Sequence, residues 1–303
     1  MFIYVFGSNK LPMKESHDVG DKKKPVLRRG KKNGRHHPVH PRMRLTYAGL
    51  AVYLLLLTSA EYITTYVNPE GGLAIHAFIL FALLTVSSFL YKDKLLCCFV
   101  MSLVITPLIR ILSTAMPVSM LDPLYWFLAI NFPLLIMAFM LMGYLGLTRE
   151  DVGLVFVSPE EENRKIGFLL QFLVMFTGPF FGMIEYHILR PEAMVQELTV
   201  PALISAFVTF TIFTGLIEEI VFRGIIQRNG EKVIGVAGAL FFTALLFAVM
   251  HIGWKSWVDL VFVFLVGFFY GVIFYKTRSL FGITVSHGLT NTVLFTIAPL
   301  FIR

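Results

Sequence analysis

The chain has 303 residues, of which 56% are apolar and 15% charged, with 30 phenylalanines and a mean hydropathy of +0.74. Soluble domains run at about 45–50% apolar and about 25% charged, so this composition excludes an ordinary water-soluble globule and calls for a bilayer as solvent. The net charge of +7 belongs to one end: residues 1–44 hold 12 of the 26 Lys and Arg against three acids, Glu15, Asp18 and Asp21.

Taken in chain order, that tail comes first. Lys22-Lys23-Lys24 and Arg28-Arg29-Gly30-Lys31-Lys32 are too charged to be the apolar part of a signal peptide. Residues 1–44 are expected to be a basic, disordered cytoplasmic tail. Adhesion to anionic headgroups, at about 1 kcal/mol per basic residue, is the weaker reading. No base-reading motif accompanies the charge, so no nucleic-acid partner is expected. Cys97 and Cys98 are neighbours in an apolar run. They exclude a disulfide framework and offer no metal-site spacing.

Stretches long and apolar enough to cross a bilayer then recur at 45–67, 72–91, 95–116, 124–147, 165–189, 200–228, 235–252, 256–276 and 279–301. The expected fold is all-α: a polytopic transmembrane helix bundle of eight or nine spans, integral to a membrane, the cell membrane by default. With the basic tail inside, the inner loops collect Lys92, Lys94, Arg149, Arg164, Lys165, Arg223, Arg228, Lys232, Lys276 and Arg278. The outer ends collect Arg190, Lys255 and Arg303. That bias supports a cytoplasmic N-terminus. The chain divides into the tail, N-terminal transmembrane helices over 45–190, and a C-terminal core over 200–303 that carries the chemistry.

Ionisable groups inside a bilayer are costly, and each needs a reason. Glu61, His76, Glu185, His187 and Asp259 fall near the outer ends of their spans and read as structural, reaching headgroups or one another. Arg110 is deeper and calls for a partner in the bundle. The sixth span is different. Gly215-Leu216-Ile217-Glu218-Glu219-Ile220-Val221-Phe222-Arg223 sets two adjacent carboxylates in an apolar helix. Glu219 and Arg223, four apart, share a face and can pair, which leaves Glu218 turned away from that cation. A carboxylate so placed seeks a proton or a cationic neighbour, as a general base does.

Two later helices add what a base needs. Phe247 and His251 are four apart in the seventh span, and His287 and Asn291 are four apart in the ninth, with Gly288 permitting close backbone approach. At about 1.5 Å per residue, Glu218, His287 and Asn291 reach about 12–18 Å into their helices, while His251 reaches about 24 Å. The mismatch predicts that Asn229 to Val236 lie along the interface and that the seventh helix starts later.

Glu218-Glu219-x-x-x-Arg223, Phe247-x-x-x-His251 and His287-x-x-x-Asn291, in this order on C-terminal helices, resemble the three signature motifs of the CPBP family. These are the CAAX-processing and bacteriocin-processing intramembrane proteases, whose type member is the type II CAAX prenyl endopeptidase. The resemblance spans about residues 200–295, and no motif position departs from the pattern. It implies an intramembrane endopeptidase of glutamic type. Glu218, helped by His251, would activate a water; His287 and Asn291 would stabilise the oxyanion; Glu219 and Arg223 would hold the architecture or position substrate. The substrate implied is a membrane-associated peptide or protein, prenylated if processing is of the CAAX kind.

No cofactor is favoured. The alternative is zinc on Glu218, His251 and His287 with water in the fourth position, although the helical HExxH pattern is missing. Two other readings compete with the peptidase. One is a non-catalytic scaffold or bacteriocin-immunity factor that retains the motifs. The other is a transporter with a Glu/His relay, to which the missing internal repeat is unfavourable.

Overall fold

A computed structural model describes residues 41–116, 120–156 and 164–302, all within one compact unit, 40–303. The reading of the basic tail as disordered falls, but for its last four residues, outside the described residues. Among these, the chain is helical throughout and contains no strand.

Among the described residues, several helices begin or end at capping and turn residues. α1 (Pro41–Tyr66) and α2 (Pro69–Phe89) form a hairpin. Asn68 caps α2 by accepting from the backbone N–H of Glu70 (2.8 Å) and Gly71 (3.2 Å), with Pro69 in the first turn. Gly72 lets α2 lie on α1, since a Cβ there would come within 2.6 Å of the Thr64 backbone. Asp93 caps α3 (Lys94–Ser102), which continues after a turn as α4 (Ile105–Ala115). α5 (Pro123–Leu145) opens on an Asp122 cap and closes at Gly146, whose φ of 67° is the left-handed conformation a glycine takes cheaply. α6 (Arg164–Met175) and α7 (Thr177–Leu189) jog at Phe176 but together make one span.

The C-terminal core follows. α8 (Val200–Val208), a π-helical stretch Thr209–Leu216, α9 (Ile217–Glu219) and a second π-helical stretch Ile220–Gln227 run on without a loop into α10 (Arg228–Val249). Gly235, at φ 75° and ψ 167°, interrupts α10. Residues 229–234, expected along the interface, are helical, and the helix leading to His251 resumes directly after Gly235. A 3₁₀ turn, Ile252–Trp254, leads to α11 (Trp257–Thr277), capped by Ser256. α12 (Phe281–Thr292), a third π-helical stretch Val293–Ile297 and α13 (Ala298–Phe301) complete the fold.

Seven helices among the described residues are long and apolar enough to span a membrane, and the protein is an integral multi-pass membrane protein. The count differs from nine for two physical reasons. The sixth and seventh expected spans belong to one continuous helical stretch, Val200–Trp254. The ninth, over α12 and α13, is too polar to qualify because Thr284, Ser286, His287, Thr290, Asn291, Thr292 and Thr296 lie along it, all buried by neighbouring helices.

Candidate active site

The site is built where the Glu218 helix, α11 and α12 approach closely enough to share polar groups. Small residues make this possible. A Cβ on Gly288 would lie 2.6 Å from Thr211 Cα, and one on Gly215 would lie 3.0 Å from the Thr284 carbonyl. Glycine is required at these crossings because no larger side chain fits between the backbones. The backbone that Gly288 admits is thus that of the Glu218 helix. π-Helical stretches on both sides of Ile217–Glu219 alter the helical phase around the two carboxylates, a local irregularity frequent at functional sites.

Arg223 is fully buried. Its Nη1 donates to Glu219 Oε1 (3.0 Å) and its Nη2 to the Gly267 carbonyl of α11 (3.0 Å). The guanidinium lies 4.7 Å from the Phe247 ring centroid and 5.8 Å from that of Tyr270. A buried cation so enclosed is compensated by a carboxylate, a carbonyl and two π-faces. The pairing expected from the four-residue spacing is present.

His287 stands between the two glutamates. Its Nδ1 is 2.9 Å from Glu219 Oε1 and its Nε2 is 3.7 Å from Glu218 Oε2. Arg223, Glu219 and His287 thus form a continuous chain of charge-assisted contacts, with Glu218 at its end. Glu218 is a quarter exposed, and its Oε2 is buried without a hydrogen-bond partner. The histidine within ion-pair reach of Glu218 is His287.

His251 follows the end of α10, and its Nδ1 lies 2.8 Å from the Phe247 carbonyl. Donation from Nδ1 to that carbonyl would leave Nε2 as the acceptor. Phe247 packs against His251 at 4.6 Å and edge-on to His287 at 6.1 Å between centroids. The aromatic residue of the Phe247-x-x-x-His251 motif is thus a spacer between the two imidazoles and a wall for Arg223.

His251, His287 and Asn291 line one cavity of about 30 Å³, room for one or two water molecules. Glu185, Tyr270 and Thr290 line it as well. Glu185, expected to reach the headgroups or another of the outer-end groups, is 8% exposed and faces this cavity, because its helix α7 packs directly on α12. Asp259 is also fully buried, with both carboxylate oxygens unpaired. His187 is exposed, as expected of a span end. Tyr270 and Thr290 were missed; an aromatic and a hydroxyl residue in apolar helices carry no signal that distinguishes them from packing. Tyr270 hydrogen-bonds Ser286 Oγ at 2.8 Å, which in turn contacts Thr177 Oγ1 at 2.9 Å.

Among the described residues, no three His, Cys, Asp or Glu side chains stand together as a metal-binding group.

Comparison with curated proteins and with solved structures finds no match. Comparison with family models finds one, described as "Type II CAAX prenyl endopeptidase Rce1-like", over residues 200–293. That segment contains His251, His287 and Asn291, which line the cavity, and Glu218, Glu219 and Arg223, which join it through His287. Residues 200–293 of this multi-pass membrane protein are thus similar to the Rce1-like family of type II CAAX prenyl endopeptidases.

Proposed function

We propose that the protein is an endopeptidase in which Glu218 activates a water held in the cavity of His251, His287 and Asn291. The observation that carries this reading is the cavity itself. It is water-sized, it is lined by both motif histidines and the motif asparagine, and Glu218 sits at 3.7 Å from one of its walls, His287.

The step runs as a hydrolysis. Glu218 takes a proton from the water, whose oxygen attacks the peptide carbonyl carbon. His251, with Nδ1 committed to Phe247, receives the other water hydrogen at Nε2 and orients the nucleophile. The oxyanion is held by the Asn291 amide N–H. His287, fixed through Nδ1 by Glu219, adds Nε2–H when doubly protonated. Collapse breaks the C–N bond, and Glu218 returns its proton to the leaving nitrogen. Glu219 and Arg223 set the ring of His287 and do not meet the reacting atoms. General base work of this kind contributes about 10²–10⁴-fold. The substrate class that suits the reading is a membrane-associated peptide or protein, prenylated at a CAAX-type end, reached from the side of a cytoplasmic N-terminus.

The test compares peptide termini in membranes of cells expressing wild type or Glu218→Gln at equal levels. New termini with wild type alone are the expected result and would also name the client. Identical termini, with the variant still rescuing a null phenotype, would move the assignment to a scaffold or immunity factor. Chelators are expected to leave turnover of the pure protein unchanged. A loss that zinc restores would assign the water to a metal instead.

A further inference from the structure

His251 does not ride on a helix. α10 ends at Val249, and His251 lies in the turn that follows. Local ties hold this turn: His251 N–H donates to the Ala248 carbonyl (2.9 Å), Trp254 N–H to the His251 carbonyl (3.0 Å), and Trp254 stacks on Phe295 at 5.4 Å. One tie comes from far away in sequence. Arg110 of α4 donates from Nη2 to the carbonyl of Met250 at 2.9 Å. That carbonyl is one of the orphan acceptors at a helix C-terminus, where a cation is also favoured by the helix dipole.

The same guanidinium pairs with Glu61 of α1: Nε donates to Oε1 at 2.9 Å, and the Nη2 that serves Met250 also lies 2.6 Å from Oε2. Glu61 is fully buried and has His76 of α2 at 3.5 Å. Gly253, two residues after His251, faces the guanidinium closely: a Cβ there would be 3.8 Å from Nη1. Three helices that precede the Rce1-like segment thus converge on the turn that carries His251. An ion pair alone would need no third bond. The planar fork of arginine serves carboxylate and carbonyl together, which the single ammonium of lysine cannot do in the same geometry.

We propose that Arg110, oriented by Glu61, is a positioning residue for His251. It fixes the turn so that the imidazole faces the cavity. The inference rests on the peptidase reading for its consequence in turnover, though not for its structural content. A displacement of about 1 Å at a catalytic group can cost about 10²-fold, so a brace on a non-helical turn has a measurable effect.

The experiment uses the full chain in nanodiscs with Arg110→Lys. Two quantities are read: the rate of carbethoxylation of each histidine by diethyl pyrocarbonate, and kcat and KM on a prenylated CAAX reporter peptide. The expected result is a several-fold rise in the labelling rate of His251 alone, with exposed His187 and cavity-lining His287 unchanged. It should be accompanied by a fall in kcat of about tenfold with KM within about twofold.

Unchanged labelling at His251 with unchanged kcat would overturn the proposal. So would a parallel rise at His251 and His287, which marks general loosening. Should Arg110→Lys fail to fold, Glu61→Gln keeps the side-chain shape, removes the charge that aims Arg110, and is read in the same way. If the wild type itself cleaves no reporter, the peptidase reading fails, and the labelling of His251 still decides the brace.

Discussion

The helices before residue 190 and the stretch after residue 200 are both apolar, yet they solve different problems. In Arg44–Tyr66, Pro69–Phe89, Pro123–Leu145 and Gly167–Leu189, 28% of the most apolar window is buried inside the protein; in Val200–Trp254 the share is 61%. The most buried stretch also has the highest hydropathy, 2.5. Hydropathy therefore reports what a helix tolerates and not what it faces. The outer helices offer Phe81, Phe180, Leu55 and other exposed apolar side chains to lipid. The inner stretch uses its apolar surface to seal a polar chain of Arg223, Glu219, His287 and Glu218 away from the hydrocarbon. With no water in the bilayer core to satisfy such groups, they must satisfy one another.

If the inner region holds the chemistry, changes there should act on turnover and changes in the outer region should not. The largest expected effect is Glu218→Gln, a near-isosteric change that removes the base. Turnover should fall by about 10³-fold, with the folded protein recovered at wild-type yield. Retained cleavage would take Glu218 out of the reaction and bring Glu185, the carboxylate that lines the cavity, into consideration. Asn291→Ala should follow, lowering kcat by about 10²-fold through loss of one oxyanion donor and leaving KM nearly unchanged. An unaltered kcat would assign Asn291 to packing between α12 and its neighbours.

How much of this was legible in the sequence depends on distance along the chain. The Glu219–Arg223 pair lies within one helical turn, so spacing alone predicted it, and the contact survives although a π-helical stretch begins at Ile220. The depth of His251 calls for some irregularity before its helix, and the structure places a single non-helical residue there, Gly235. Arg110 was visible as a cation in need of a partner, but Glu61 lies 49 positions earlier, and no spacing rule relates residues on separate helices. The cavity-facing side of Glu185 is not legible, because hydropathy gives depth along a helix and not the face it turns. For the same reason α12 failed the span criterion: a helix whose polar side is packed inward looks like one unfit for lipid.

A smaller effect sharpens the packing half of the comparison. Gly288→Ala pushes a methyl against the Thr211 backbone at the crossing of the two catalytic helices. Overpacking of this kind costs about 1–3 kcal/mol, seen as a lower melting temperature in detergent together with reduced turnover. Gly143→Ala in α5 meets nothing within 4 Å. It should gain about 0.5–1 kcal/mol from helix propensity and leave turnover unchanged. Equal tolerance at both glycines would mean that the close crossing does not hold in the folded protein.

The smallest expected effect concerns residues 148–153, after α5, which belong to the outer region and contact the inner one. Asp151 accepts from Thr148 N–H (3.0 Å) and Thr148 Oγ1 (3.1 Å) and pairs with Arg228 at 2.6 Å. These contacts, the Thr148 N–H first, hold its carboxyl below the usual range against an opposing effect of partial burial. The folded value is depressed, so the contribution to stability is complete above the unfolded value of 3.8 and fades as pH falls through the folded one. Asp151→Asn should cost no more than about 1 kcal/mol at neutral pH, as expected of a partly exposed pair, and the gap from wild type should close toward pH 3. The loop also carries Val152, whose carbonyl would lie 2.8 Å from a Cβ on Gly224, and Gly153, whose carbonyl accepts from Leu280 N–H at 2.8 Å. It therefore rests against the helix of Glu219 and Arg223 and against the start of α12. A pH-dependent gap confined to melting temperature would make it a strap; one that appears in kcat as well would show that the outer region reaches the site through this loop too.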